Sequence, residues 1–278
     1  MSPTTKKFNL MKDTEDLRDY RFTSLVKNHV TTPKLIESLP SSIDHTNEMS
    51  PVKDQDDIGS CVAFSIAAVK EWQEQKEHRQ EVEEGKFDHR DDKYYDLSEA
   101  WIYKMAKKID PWPDEEGTSI RHGLKVINKI GVPCEKAWPY DEIVNGKPKK
   151  WANLVALWSL IDSYWKISNL TELISALTFG PIIAGIGVFE EIFYVGKDGI
   201  IPLPAQPQYC YGGHAICLVG FNAHTKLIKF KNSWSKNWGD NGYGYLPYKY
   251  IKRHMWDAWA IKDLSVTKEM LKGARSLI

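Results

Sequence analysis

The chain has 278 residues, of which 42% are hydrophobic, and its 37 basic residues balance 37 acidic ones, so the formal net charge is zero. This apolar content suffices for a large core and excludes general disorder. Zero net charge gives no global attraction to nucleic acid or to an anionic membrane, so we expect neither as a partner. Four cysteines are too few for a disulfide scaffold.

The predicted elements change type halfway along the chain. Residues 1–40 are polar with scattered apolar anchors, which is typical of an extended arm. Apolar spacing and turn residues then predict four helices, at 62–75, 97–107, 119–130 and 169–177, and three strands, at 182–189, 214–221 and 227–230. Helices followed by strands indicate an α+β fold in two lobes.

The same pattern predicts the domain boundaries. They are an N-terminal arm at 1–40, a helical lobe at 41–145, a β-rich lobe at 146–265 and a C-terminal tail at 266–278. Residues 75–93 are mostly charged, and we interpret them as a solvated insertion in the helical lobe.

Cys61 is the first candidate for chemistry, because it opens the first predicted helix directly after Ser60, a suitable N-cap. Unpaired N–H groups and the helix dipole stabilise an anion there, and a thiolate is the reactive form of cysteine. Gly59 leaves room for a substrate. The Gln55 amide, on the preceding loop, can donate to an oxyanion beside the Cys61 N–H. The alternatives are an inert buried thiol and an exposed loop glutamine.

His214 opens a predicted strand, where it can face a cleft, take the proton of a thiol and return it to a leaving amine. Asn232 follows the next strand, and its oxygen can accept from the imidazole N–H and fix the tautomer. Trp234 can shield that hydrogen bond from water. A structural histidine and a turn asparagine are the alternatives.

A metal site is the competing interpretation of the same region. Cys210, His214, Cys217 and His224 have a spacing that hints at zinc. His214 and Cys217 are three residues apart on a strand, so their side chains point to opposite faces, which argues against a shared ion.

The order of these motifs resembles that of the papain-like (papain/cathepsin) cysteine peptidases. The segments that carry the resemblance are PVKDQDDIGSCVAFS at 51–65, DLSEAW at 96–101, GVPCEKAWPYDE at 131–142, GGHAICLVGF at 212–221 and KFKNSWSKNWGDNGYGYLP at 229–247. The resemblance covers about residues 40–265. The short N-terminal region is similar to that of compact bacterial, archaeal or viral members.

The resemblance implies a two-lobed fold with the active site in the cleft, a protein or peptide substrate, and no cofactor. It implies Cys61 as nucleophile, His214 as general base and acid, Asn232 as the residue that orients His214, and Gln55 in the oxyanion hole. The implied substrate-binding residues are Gly59, Gly117, Thr118, Ser119, Gly213 and Trp234. A binding or structural module with a blocked cleft, and a peptide ligase, are alternatives on the same fold.

Two departures from the family pattern carry predictions. Ile58 stands where the family usually has a cysteine, so a nearby family disulfide is absent. Together with the lack of an apolar signal segment, this predicts a cytoplasmic protein. The region before the catalytic block is short, and we expect residues 1–40 to lie over the cleft and restrain it as an intramolecular inhibitor.

Overall fold

The computed structural model describes residues 6–27, 39–84, 95–205 and 208–263. The helices are α1 (Phe22–Lys27), α2 (Cys61–Glu83), α3 (Glu99–Ile109), α4 (Ile120–Lys129), α5 (Ala152–Ala156), α6 (Leu170–Leu177) and α7 (Tyr248–His254). The strands are β1 (Ser42–Asp44), β2 (Ile161–Lys166), β3 (Ile182–Val188), β4 (Gly212–Asn222), β5 (Leu227–Lys231), β6 (Tyr243–Pro247) and β7 (Met255–Asp263). The predicted α+β class is confirmed.

The strands of the described residues form one antiparallel sheet in the order β2-β7-β3-β4-β5-β6, with β1 paired to part of β4. Strands β3 and β4 lie at its centre, and every residue of β3 is buried. Their near-continuous apolar sequences suit strands that are covered on both faces. Helix α2 packs against β4 from one side, so the start of that helix and the start of that strand meet.

Helix α2 begins inside the protein and ends in solvent. Its first twelve residues are buried, and no glycine or proline interrupts it. Gly123 of α4 permits close packing, because a Cβ there would lie 2.4 Å from Cδ1 of Ile66. The buried start of α2 thereby holds Cys61 rigidly between helices and sheet.

Two apolar clusters make up the core. The first joins α2, α3 and α4 to one side of the sheet, and the second lies among β3–β6, α6 and α7. This division agrees with the two predicted lobes, although their boundaries remain a prediction. Strand β1, which we assigned to the helical lobe, pairs with β4 in the sheet.

The structure differs from the sequence prediction in the length of α2, which continues to Glu83 instead of ending near residue 75. In the added turns, Lys76 Nζ lies 4.7 Å from the centroid of the Trp72 ring, and His78 packs edge-on against Tyr95 at a centroid distance of 6.1 Å. The first part of the predicted insertion is therefore helical, and residues 85–93 lie outside the described residues, as does the tail at 266–278. No described helix could cross a membrane.

Replacing Trp101 with alanine should lower the free energy of unfolding by about 3–5 kcal/mol, because this side chain of α3 fills the first cluster. It is 1% exposed and donates from Nε1 to Gly131 O at 3.0 Å. Trp151→Ala is the matched control, since Trp151 is 40% exposed, and should cost less than about 1 kcal/mol. Urea unfolding of both variants measures the difference, and equal losses would contradict this account of the core.

Candidate active site

The loop before α2 is fixed by hydrogen bonds that position Cys61. Ser60 is the N-cap residue, but its hydroxyl lies 2.6 Å from the Tyr140 hydroxyl and makes no cap bond to the helix. The Tyr140 hydroxyl also donates to Gln55 O at 2.8 Å. The loop is thus tied to the segment that follows α4, and Cys61 stands at the helix end where an anion is stabilised.

His214 of β4 and Asn232 at the end of β5 form a hydrogen-bonded pair. His214 Nε2 lies 2.8 Å from Asn232 Oδ1. Because an amide oxygen only accepts, Nε2 carries the proton and Nδ1 of a neutral ring is an acceptor. Nδ1 is buried and has no hydrogen-bond partner among the described residues. The ring stacks on Trp234 with centroids 4.6 Å apart, so its orientation is fixed from two sides.

Cys61 contacts β4 at the residue that follows this histidine. The N–H of Ala215, the residue after His214, donates to Cys61 Sγ at 3.4 Å. The structure therefore brings together Cys61, His214 and Asn232, three residues distant in sequence. A thiol, an imidazole and a third group that orients the imidazole are the groups from which an activated nucleophile is built.

Burial sets the protonation of the pair in this structure. It raises the pKa of the Cys61 thiol to about 11 against the lowering effect of nearby N–H groups. It also lowers the pKa of His214 to about 4, although the bond to Asn232 acts in the opposite direction. Both residues are 0% exposed. The desolvated pair is therefore neutral at pH 7, and the dipole of α2 does not overcome the loss of water.

Gln55 is the fourth predicted catalytic residue, and it is buried on the loop before α2. Its Oε1 accepts from the Ser233 hydroxyl at 2.6 Å, and its Nε2 donates to Ile58 O at 2.9 Å. The bond to Ser233 links it to the residue after Asn232 and fixes which end of the amide carries the donors. One N–H of the amide remains for a further acceptor.

The described arm, residues 6–27, lies across this site. Leu10 N donates to Gly213 O at 2.9 Å, and Met11 N donates to Thr118 O at 3.0 Å. Asn9, directly before them, contacts Gly59 and Gly117 so closely that a Cβ on Gly117 would lie 1.8 Å from Asn9 O. Gly117 also has φ +86°, a conformation that favours glycine. Four predicted substrate-binding residues thus contact this part of the arm, and a fifth, Trp234, contacts Phe8.

Side chains of the arm fill the cleft on both sides of Asn9. Phe8 packs edge-on against Phe193, Trp234 and His214, with centroid distances of 5.4, 5.6 and 6.2 Å. Leu10 is 4% exposed and contacts Gly185 of β3. The arm is therefore the layer that separates the Cys61–His214 pair from solvent.

The remaining predicted site residues have other surroundings. Ser119 is the N-cap of α4, where its hydroxyl accepts from His122 N and lies 2.7 Å from His122 Nδ1. Trp234 contacts His214 and Phe8, as the predicted shielding role requires. The sequence analysis missed two residues next to the arm, because neither lies in a recognisable motif. Phe193 contacts Phe8, and Asp257 faces the arm.

The four residues of the zinc interpretation do not converge. Cys217 is buried within β4, whereas Cys210 and His224 are exposed. The described part of the chain has no group of three or more His, Cys, Asp or Glu side chains that could hold a metal ion.

Comparison with known sequences connects this geometry to one protein family. Residues 39–255 match the papain family cysteine protease description. The chain is 31% identical to an uncharacterized peptidase C1-like protein of Acanthamoeba polyphaga mimivirus, over 95% of this chain and 89% of that one. It is 26% identical to cysteine proteinase 3 of Entamoeba histolytica, over 75% of this chain but 63% of the relative's length.

Comparison with solved structures gives the same fold. Xylellain, a cysteine protease from Xylella fastidiosa, superposes with a TM-score of 0.77 and 26% identity, over 94% of this chain and 97% of xylellain. A digestive procathepsin L 3 of Tenebrio molitor superposes with a TM-score of 0.63 at 20% identity, over 94% of this chain and 76% of that one, which supports the fold alone.

Proposed function

Because the chain belongs to the papain family of cysteine proteases, we propose that it cleaves peptide bonds. In this proposal Cys61 is the nucleophile, His214 is the general base and acid, and Asn232 orients His214. The observation that carries this assignment is the hydrogen bond from Ala215 N to Cys61 Sγ at 3.4 Å, which places the thiol against the residue that follows His214. The buried Nδ1 of His214 has no partner among the described residues, and Nε2 is held by Asn232 at 2.8 Å. Gln55 completes the proposed site as an oxyanion donor.

The reaction divides into two steps. His214 Nδ1 takes the proton of Cys61, the thiolate adds to the scissile carbonyl, and the imidazolium protonates the departing amine to leave a thioester. His214 then removes a proton from water, which attacks the thioester and releases the acid and the thiol. Asn232 accepts from Nε2–H throughout, so the imidazolium stays in one orientation.

Gln55→Ala should lower kcat for peptide hydrolysis by about 10²–10³-fold with a small change in KM, because one donor to the developing oxyanion is lost. In the structure, the Gln55 amide is fixed at both ends, because Oε1 accepts from the Ser233 hydroxyl and Nε2 donates to Ile58 O. Steady-state kinetics in the Leu10→Asp chain, whose arm is weakened, measures the effect, with thermal unfolding as the control for folding. A loss confined to KM would show that Gln55 binds substrate without stabilising the transition state.

We further propose that the arm is an intramolecular inhibitor and that this structure is the latent form. The backbone N–H groups of Leu10 and Met11 donate to carbonyl oxygens on both walls of the cleft, and Phe8 packs against His214. A bound arm excludes substrate and also keeps the thiol and imidazole neutral through desolvation. Displacement of the arm would admit water and favour the thiolate–imidazolium pair.

Covalent labelling tests the assignment of Cys61. We expect intact-protein mass spectrometry to show one adduct of a peptidyl epoxide on the native chain and none on the Cys61→Ala variant. Cys210→Ala is the matched control, because that thiol is free and exposed but lies outside the proposed triad. An adduct of equal yield on Cys61→Ala would place the reactive thiol elsewhere.

A binding module with a permanently filled cleft is a second candidate. The complete burial of Cys61 and His214 beneath the arm favours it. A module of this kind would gain no hydrolytic activity when the arm is weakened, whereas a latent protease would. The arm substitution argued in the Discussion separates the two.

A further inference from the structure

We propose that Phe193 and Trp234 form a pocket for an aromatic side chain of the substrate, carried by the fragment that departs from Cys61 as the amine. Phe8 of the arm fills this pocket in the latent form. The inference rests on the proposed proteolysis and names a substrate preference that the catalytic residues do not set. Phe193 is then a residue that determines specificity.

The pocket has two aromatic walls that do not belong to the arm. The ring of Phe8 packs edge-on against Phe193 and Trp234, with centroid distances of 5.4 and 5.6 Å. Trp234 is itself held by two further rings, because it stacks on His214 at 4.6 Å and meets Trp238 edge-on at 5.4 Å. The walls therefore remain available to another aromatic ring when the arm leaves.

The start of β4 allows a peptide backbone to pass close to the pocket. Gly212 has φ +145°, a conformation that favours glycine. A Cβ on Gly212 would lie 2.4 Å from Phe8 O and 3.1 Å from Phe8 Cβ. The strand thus leaves room for the backbone of the residue whose side chain enters the pocket.

The aromatic surface extends beyond the ring that fills the pocket. Phe193 packs edge-on against Tyr211 at 5.2 Å, and Tyr211 packs edge-on against Tyr209 at the same centroid distance. Tyr211 is 46% exposed and Tyr209 is 75% exposed. Adjoining exposed aromatic rings are typical of surfaces that bind another molecule. The row of rings is therefore longer than its occupant in the latent form.

The contact with His214 assigns the pocket to the departing fragment. The ring of Phe8 meets the His214 ring edge-on at 6.2 Å, whereas Leu10, two residues further on, contacts Gly185. In the proposed reaction His214 protonates the departing amine, while the acyl fragment stays on Cys61. A side chain that lies against the imidazole therefore belongs to the amine fragment.

Acyl transfer to an added amine tests this preference, because the amine takes the place of the departing fragment. The parent is the full chain with Phe8→Ala and Leu10→Asp, so that neither side chain of the arm competes. One acyl donor forms the thioester on Cys61. The amine nitrogen then attacks the thioester carbonyl, the C–S bond breaks, and His214 passes the proton of the amine to the thiolate.

Phenylalaninamide and alaninamide present the same reacting amine with and without an aromatic ring. In the parent, phenylalaninamide should trap the thioester at least about tenfold more efficiently than alaninamide. In the parent with Phe193→Ala, the two efficiencies should agree within about twofold. Their ratio cancels any change in the reactivity of Cys61, so a purely structural role of Phe193 would not alter it.

Tyr194→Ala is the matched control, because it removes the neighbouring aromatic side chain, which is 69% exposed. It should keep the ratio of the parent. If Phe193→Ala fails to fold, Phe193→Leu replaces it, because leucine keeps an apolar side chain but removes the ring, and it should lower the ratio by at least about threefold.

Two results would overturn the proposal. One is equal trapping by the two amides in the parent, and the other is a preference that persists in the folded Phe193 variant. Either result alongside continued hydrolysis of the donor would leave the proposed proteolysis intact.

A chain that forms no thioester would contradict the proposed proteolysis, and the same two amides are then compared by how well they protect Cys61 from iodoacetamide. Protection by phenylalaninamide at about tenfold lower concentration, lost in the Phe193 variant, would support the aromatic pocket. Equal protection by the two amides would contradict it.

Discussion

Replacing Leu10 with aspartate should raise the rate of epoxide labelling at Cys61 by at least about 100-fold at pH 7. Leu10 is 4% exposed in the cleft, and burial of a leucine side chain is worth about 1.5–3 kcal/mol. Loss of that energy lowers the ratio of bound to open arm by roughly 10–150-fold. Asp257 and Gly185 line the same position, so a carboxylate there is also desolvated and repelled. Peptide hydrolysis should appear in parallel if the chain is a latent protease.

Leu17→Asp is the matched control, because it makes the same change on the same arm where the side chain is 91% exposed. Its labelling rate should stay within about twofold of that of the native chain. Equal rates in the two variants would show that the arm does not control access to Cys61. Faster labelling of Leu10→Asp without hydrolysis of any peptide would favour the binding module.

The placement of Cys61, His214 and Asn232 could be predicted because each residue has its own signal in the neighbouring sequence, although the three are far apart in the chain. Cys61 had to stand at a helix start, and His214 and Asn232 had to stand at strand ends, whichever way the lobes pack. Family motifs surround all three, and membership of the papain family is confirmed. The structure brings these residues together, while their catalytic roles remain proposals that labelling and kinetics test.

The role of the arm could be expected only in outline. Polar residues with scattered apolar anchors indicate a segment that lies on a surface. The local sequence does not show that Leu10 hydrogen-bonds to Gly213 or that the ring of Phe8 packs against Phe193. These contacts join residues about 200 positions apart in the chain. The position of Asp257 was hidden for the same reason, because nothing in its local sequence shows that it lies close to Gly185, which Leu10 of the arm also contacts.

Strands β2 and β7 were missed for a different physical reason. Both mix charged and aromatic residues, as in IDSYWK and MWDAWAIKD, so neither shows a clean alternation or a continuous apolar run. They pair with each other at the end of the sheet, and Lys166 of β2 lies 3.9 Å from Asp19, which forms a buried ion pair with Arg121. Tertiary packing, not local propensity, fixes them as strands.

The assignment of His214 is tested most directly in the chain whose arm is already weakened. In the Leu10→Asp background, His214→Ala should lower kcat/KM for a peptide by at least about 10⁴-fold, because the thiol loses the base that activates it and the acid that protonates the leaving amine. Asn232→Ala should have a smaller effect on the same rate, because it loosens the imidazole whose Nε2 it holds at 2.8 Å but removes no proton acceptor.

His224→Ala is the control for this loss, since His224 is exposed in the turn after β4 and takes no part in the site. Its kcat/KM should match that of the Leu10→Asp parent. Thermal unfolding of each variant separates a catalytic loss from a folding one, because His214 stacks on Trp234 and its removal leaves a gap. If a folded His214→Ala chain kept kcat/KM within tenfold of the parent, proton transfer would have to be assigned to another group and the proposed triad would be wrong.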